Sequence, residues 1–332
     1  MIDPSQHLNP KIFDEDIEMV PSRNGFGEGL VLAGENDKDV VALCADLTES
    51  TRIQAFKDKF PDRFFEIGVA EQNLVTVGSG LAAVGKIPFV SSYATFSPGR
   101  NWEQIRTTIC YNNQPVKIIG SHAGISVGPD GATHQALEDM AIMRALPNMV
   151  VICPADSIEA KKATMAAAKT LVPTYIRLSR DKVPSITTEQ TPFEIGKAQV
   201  LFNPEKKAQA TVIACGQLVH RALLAAKELG EQNVHIRVIN CPTIKPLDKK
   251  TILAAAEETG AIVTVEEHQI TGGLGGAVAE LVSAHYPVPI KIIGIEDHFG
   301  ESGETSQLLE KFGLTKENII KSLLHVIRMK EK

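Results

Sequence analysis

Residues 63–94 read RFFEIGVAEQNLVTVGSGLAAVGKIPFVSSYA. RFFEIG (63–68) and IPFVSSYA (87–94) are short, β-rich apolar runs, and EQNLVTVGSGLAAVG (71–85) between them is a plausible helix. Strand, helix and strand in succession are the repeating unit of an α/β layer fold. The alternation continues on both sides. VVALCAD (40–46), VKIIGSH (116–122), MVVICPA (149–155) and TYIRLS (174–179) read as strands. NWEQIRTTICYNN (101–113), HQALEDMAIMRAL (134–146) and SIEAKKATMAAAKTL (157–171) read as helices. Strands apolar along their whole length suit a parallel sheet covered on both faces.

Residues 181–197, DKVPSITTEQTPFEIGK, break the pattern and read as a linker. It restarts with ATVIAC (210–215), VHIRVIN (234–240), AIVTVEE (261–267) and IKIIGIED (290–297), separated by helices such as LVHRALLAAKEL (218–229) and KTILAAAEETG (250–260). The expectation is two consecutive doubly wound α/β domains, 1–188 and a smaller 189–332. At roughly 150 residues per domain, 332 residues suit two.

Composition narrows the function. A net charge of −6 without basic blocks argues against nucleic acid, and 5% aromatics leaves few stacking platforms for single strands. No apolar run approaches the ~18–20 residues of a membrane span, and MIDPSQHLNP has no signal-peptide pattern. Cys44, Cys110, Cys153, Cys215 and Cys241 lie in apolar runs without CxxC spacing, the pattern of reduced core thiols in the cytoplasm.

Three segments carry candidate chemistry. GSHAGISVGPDGATHQ (120–135) follows a strand and precedes a helix, with His122, Asp130 and His134 among four glycines. It reads equally as a site for a polyhydroxylated ligand and as a surface loop of glycine turns. No GK[ST] follows, so it is not a phosphate loop of the Walker type. Glu71 opens a helix, where a carboxylate is also routine. TGGLGGAVAEL (271–281) misses the dinucleotide fingerprint, because the third glycine falls on Val278, and reads as a close-packed helix start. No GxSxG elbow supports a serine hydrolase.

Taken in order, ADLTES (45–50), FFEIGVAEQN (64–73), SYATF (92–96), SHAGISVGPDGATHQALE (121–138), LPNMVVICPAD (146–156) and YIRLSR (175–180) resemble the pyrimidine-binding domain of transketolase. EEHQITGGLG (266–275) resembles its C-terminal domain. The resemblance implies thiamine diphosphate chemistry and transfer of a two-carbon ketol unit between sugar phosphates. It places Glu71 on the ring nitrogen N1′ of the cofactor's aminopyrimidine, in a dry apolar site, and Tyr93 and Phe96 against that ring. Asp46 and Leu47 would line the cofactor at a subunit interface. His134, with Asp130, would contact sugar oxygens, and His134 joins Glu71 as a catalytic candidate. Arg23, Ser50, His122 and Arg180 would clamp the phosphate, two guanidinia with a histidine and a hydroxyl.

Two departures qualify the match. The family's third aromatic beside the cofactor would fall near Gly99. No GDG motif occurs to hold the diphosphate with Mg²⁺ or Ca²⁺. The expectation is therefore half of a split transketolase, completed by an N-terminal subunit that carries GDG, as an α2β2 assembly. The rival readings are a transketolase-like enzyme for an unusual sugar phosphate, the β subunit of a 2-oxoacid dehydrogenase first component, and a non-catalytic scaffold. His122, Asp130 and His134 in one loop, with the two arginines, speak against the dehydrogenase subunit, and Glu71 with all the sugar-contact positions speaks against a scaffold, which requires none of them.

Overall fold

The computed structural model describes residues 1–330. The first sheet has seven strands, in the order Thr243–Lys245, Val150–Ile152, Thr174–Arg177, Lys117–Ser121, Ile87–Tyr93, Val40–Cys44, Phe64–Glu66. All run parallel except Thr243–Lys245 at the edge. The chain lays down Val40–Cys44, moves outward to Phe64–Glu66, then returns to the other flank with Ile87–Tyr93. That reversal opens a crevice beyond the carboxyl ends of the strands, where open α/β sheets bind ligands.

Side-chain alternation splits the strands between two cores. Val41, Leu43, Val90, Ile118, Val151 and Tyr175 face one, under Leu74 and Val75 of helix Glu71–Ala83. Val40, Ala42, Cys44, Phe89, Ile119 and Ile176 face the other, under Phe26 and Leu30 of helix Ser22–Asn36 and Ala160 and Ala163 of helix Ser157–Ala168. These two helices touch through glycine: a Cβ at Gly25 would lie 1.7 Å from the Ser157 carbonyl oxygen. A helix so rich in glycine lacks the usual composition signal, and the sequence patterns do not announce Ser22–Asn36.

Three expected elements differ. NWEQIRTTICYNN is α-helical only over Trp102–Gln104 and continues as a π-helix, Ile105–Cys110. Thr107 and Thr108 hydroxyls donate back to the carbonyls of Glu103 and Gln104, which competes with regular helix bonding. In HQALEDMAIMRAL the helix covers only Asp139–Arg144, because the preceding backbone is engaged elsewhere. Ala136 bridges to Ala123, and the Leu137 carbonyl accepts from the Gln269 amide. Finally, 181–197 is not a plain linker: Lys182–Pro184 pairs antiparallel with Met19–Pro21.

The second sheet runs Ile290–Ile295, Ile262–Gln269, Ala210–Ala214, Ile236–Asn240, Gln199–Phe202. Thr243–Lys245 leaves this region and closes the edge of the first sheet against Val150–Ile152. One core runs through both regions, with Ile213, Cys215 and Ile239 packed among Val151, Met140 and Met149. At the start of helix Leu274–His285 the Glu266 carboxylate accepts from the amides of Leu274 and Gly275, both at 2.7 Å. That helix start is satisfied from within, as its close-packed reading expects. The cysteines are all buried free thiols. Among the described residues no helix is long and apolar enough to cross a membrane.

Candidate functional site

Glu71 is the first residue of its helix, just past strand Phe64–Glu66, and is 3% exposed. A buried carboxylate needs a partner. Arg100 supplies one, donating from Nη1 to Oε2 at 2.8 Å, while Asn101 Nδ2 donates to the Glu71 carbonyl at 2.9 Å. Beside the apolar neighbours expected for Glu71 there is thus an ion pair whose arginine is half-exposed. The Arg100 guanidinium also lies over the Phe96 ring, 5.0 Å from its centroid. At Gly99 a Cβ would sit 2.1 Å from the Thr95 carbonyl oxygen, so this backbone has no room for a third aromatic there.

Tyr93 ends the strand Ile87–Tyr93, and Phe96 follows in the next turn. Their rings are 6.2 Å apart and tilted by only 21°. His122 stacks on Tyr93 at 3.9 Å, and His134 meets Phe96 edge-on at 5.4 Å. His134 Nδ1 lies 2.9 Å from the Thr133 hydroxyl.

His122 has a positive φ of 56°, which turns its ring back over the strand ends. Arg23 Nη1 is 2.9 Å from His122 Nε2. Arginine only donates, so Nε2 is the acceptor and the proton sits on Nδ1, which donates to Ser121 Oγ at 2.9 Å. Burial, then the charges of Arg23, Arg180 and Arg52, push the His122 pKa down to about 3. The ring is a neutral acceptor bound to an arginine.

Arg23 stands at the start of helix Ser22–Asn36 and also donates to the Ser50 carbonyl at 2.9 Å. Ser50 thus meets Arg23 through its backbone carbonyl. Burial, Arg52 and Arg180 lower the Arg23 pKa. Arg180 donates to the Val127 carbonyl at 2.8 Å and approaches Asp130 at 4.0 Å. Asp46 and Leu47 lie on the loop after Val40–Cys44. The Asp46 amide donates to Glu66 Oε1 at 2.7 Å, so this loop is tied to Glu66 rather than to Glu71.

The contacts form one chain along the carboxyl edge: Glu71, Arg100, Phe96, Tyr93, His122, Arg23, Ser50. His134 touches it at Phe96, Asp130 and Arg180 flank it, and Asp46 and Leu47 stand apart at the same edge. Sequence reasoning missed Arg100 and Ser121. The one available signal was a cation four residues beyond Phe96, in FSPGR. Among the described residues no group of three His, Cys, Asp or Glu is placed to hold a metal ion.

The family model described as the transketolase pyrimidine binding domain matches residues 18–185, and the transketolase C-terminal domain matches 196–319. A putative transketolase C-terminal section of Methanocaldococcus jannaschii is 43% identical over 92% of this chain and 96% of its own length. The 6-deoxy-6-sulfo-D-fructose transketolase subunit SqwH of Clostridium sp. is 38% identical over 96% of this chain and 98% of its own. A solved split gene transketolase, described as an inactive beta4 tetramer, superposes with a TM-score of 0.87 at 43% identity, covering 94% of this chain and 99% of that one.

Proposed function

The chain belongs to the transketolase family, and from that membership we propose that it is the C-terminal subunit of a two-chain, thiamine diphosphate-dependent transketolase. Glu71 carries the reading: a carboxylate 3% exposed, at the sheet's switch point, within one contact chain of two nearly parallel rings. A buried acid beside flat aromatic walls suits an aminopyrimidine, which needs a partner for one ring nitrogen and planar surfaces for its faces. When bound, the cofactor supplies the nucleophilic carbon that carries a two-carbon ketol unit from a ketose phosphate to an aldose phosphate.

The chain's own residues then have separate tasks. Glu71 would hold the ring nitrogen N1′ and share a proton there. Tyr93 and Phe96 orient the ring, and Asp46 and Leu47 line the cofactor on the side of the neighbouring chain. His134 and Asp130 bind sugar hydroxyls. Arg23 and Arg180 meet the terminal phosphate with charge-assisted hydrogen bonds, and His122 and Ser50 hold Arg23 in place from Nε2 and the backbone carbonyl. The sequence has no GDG motif, so we assign the diphosphate and its Mg²⁺ or Ca²⁺ to an N-terminal partner subunit, in an α2β2 assembly.

The test is reconstitution. The chain is mixed with a GDG-bearing partner, thiamine diphosphate and Mg²⁺, and ketol transfer from xylulose 5-phosphate to ribose 5-phosphate is followed. Transfer by the mixture and not by either chain is expected. No transfer under any pairing refutes the reading.

A second reading, a transketolase-like enzyme for an unusual anionic sugar, is favoured by one relative that is 38% identical and named for a sulfonated ketose. Running the same assay with 6-deoxy-6-sulfofructose as donor separates the two by kcat/KM.

A further inference from the structure

The substrate loop is held only in part by its own bonds. Between Gly124 and Gln135 it has a short 3-10 turn, Ile125–Asp130, and three glycines at positive φ, Gly124, Gly128 and Gly131. Besides its own turns and Arg180, which donates to the Val127 carbonyl, its ties reach into the C-terminal domain. The Ser126 amide donates to Glu267 Oε1 at 2.7 Å, and Gln217 Nε2 donates to the other carboxylate oxygen at 2.5 Å. The Thr305 hydroxyl donates to the Ser126 carbonyl at 3.2 Å. Gln135 Nε2 gathers three carbonyls: Ile125 at 3.3 Å, Gly128 at 3.2 Å and, from the C-terminal domain, Glu301 at 2.9 Å.

The fit is tight enough to exclude side chains. A Cβ would lie 2.3 Å from Glu267 Oε1 at Gly124, and 2.5 Å from Ser302 Oγ at Gly131. At Gly300 it would lie 1.7 Å from Gln135 Oε1. Glu267, Gln135 and Ser126 are all buried. Asp130 and His134 ride on the loop that these groups clamp.

We infer that the C-terminal domain is a working part of the sugar site: Glu267 and the segment 300–305 are positioning groups that set the backbone presenting Asp130 and His134. None of them touches the site's contact chain, so they act through the loop. A site held within fractions of an ångström needs such support, because orientation governs turnover. The functional part of this inference rests on the transketolase reading, while the structural part does not.

Two measurements test it. Hydrogen exchange on the full chain compares the wild type with Gly300→Ala and Thr305→Val. Amides in 124–134 are expected to exchange about tenfold faster, with Val40–Cys44 unchanged. Unaltered loop exchange in both variants overturns the inference. In the reconstituted enzyme, Thr305→Val is expected to raise sugar KM about tenfold, the scale of one lost hydrogen bond, and Thr305→Ser to restore it. Cofactor affinity, read from Trp102 fluorescence, is expected to stay within about twofold of the wild type, since less than half a kcal/mol is involved. Equal loss of cofactor and sugar affinity would mean general domain packing and would overturn the inference. A wild-type pair that transfers no ketol unit refutes the transketolase reading instead, and the exchange measurement still decides this one.

Discussion

Arg23 and His122 share one bond, and it fixes the protonation of the pair. A histidine whose folded pKa is about 3, against the usual 6.5, resists a proton that the unfolded chain accepts. Its contribution to stability is therefore lost as pH falls from about 6.5 toward 3. The His122 ring resonances are expected to show no titration step between pH 5 and 8, and a midpoint near 6.5 would refute the lowered pKa. Arg23→Ala and Arg180→Ala are expected to cost phosphorylated donors about 10- to 150-fold in kcat/KM, the loss of a charged hydrogen bond. Hydroxypyruvate, which has no phosphate, should barely change, and equal losses would make the arginines purely structural. Glu71→Gln is expected to lower kcat by ~10²–10⁴-fold with the circular dichroism spectrum intact, since glutamine cannot share the proton. Near-normal kcat would return Glu71 to a helix-start charge paired with Arg100.

Among the elements, helix Ser22–Asn36 carries Arg23 into the site only because Gly25 lets it lie against Ser157. Gly25→Ala is expected to destabilise the chain by ~1–3 kcal/mol, the range of overpacked cores. A lower urea midpoint and weaker selectivity for phosphorylated donors would both follow, and an unchanged midpoint would contradict the packing. This helix also marks where sequence reading ended. Strands such as Val40–Cys44 and Ala210–Ala214 were legible because each is buried on both faces and so apolar throughout. Ser22–Asn36 was not, because glycines chosen for close approach erase its pattern. Likewise Glu71, Tyr93 and His134 could be named from their motifs, but Arg100 could not. Its pairing depends on a turn in which Gly99 lies against the Thr95 carbonyl, and on a partner 29 residues away. The neutral, arginine-bound state of His122 was equally invisible, since it follows from a positive φ and a partner 99 residues away.

For the whole molecule, the reading demands a second polypeptide: the purified chain alone is expected to be inactive, and substantial ketol transfer without a partner would refute this. Within the chain, the edge strand Thr243–Lys245 makes the two family regions inseparable in another sense. Glu189 lies exposed between them, in the stretch that links their sequences. A glutamate-specific protease cutting there would sever the covalent connection and leave the sheet joined, with the Cys153 amide still donating to the Pro242 carbonyl and Lys245 to the carbonyls of Arg144 and Leu146. The nicked protein should run as two bands under denaturing electrophoresis and as one species on a sizing column. Migration as one species would make linkage between these regions a property of the folded surface, and separation into two would contradict it.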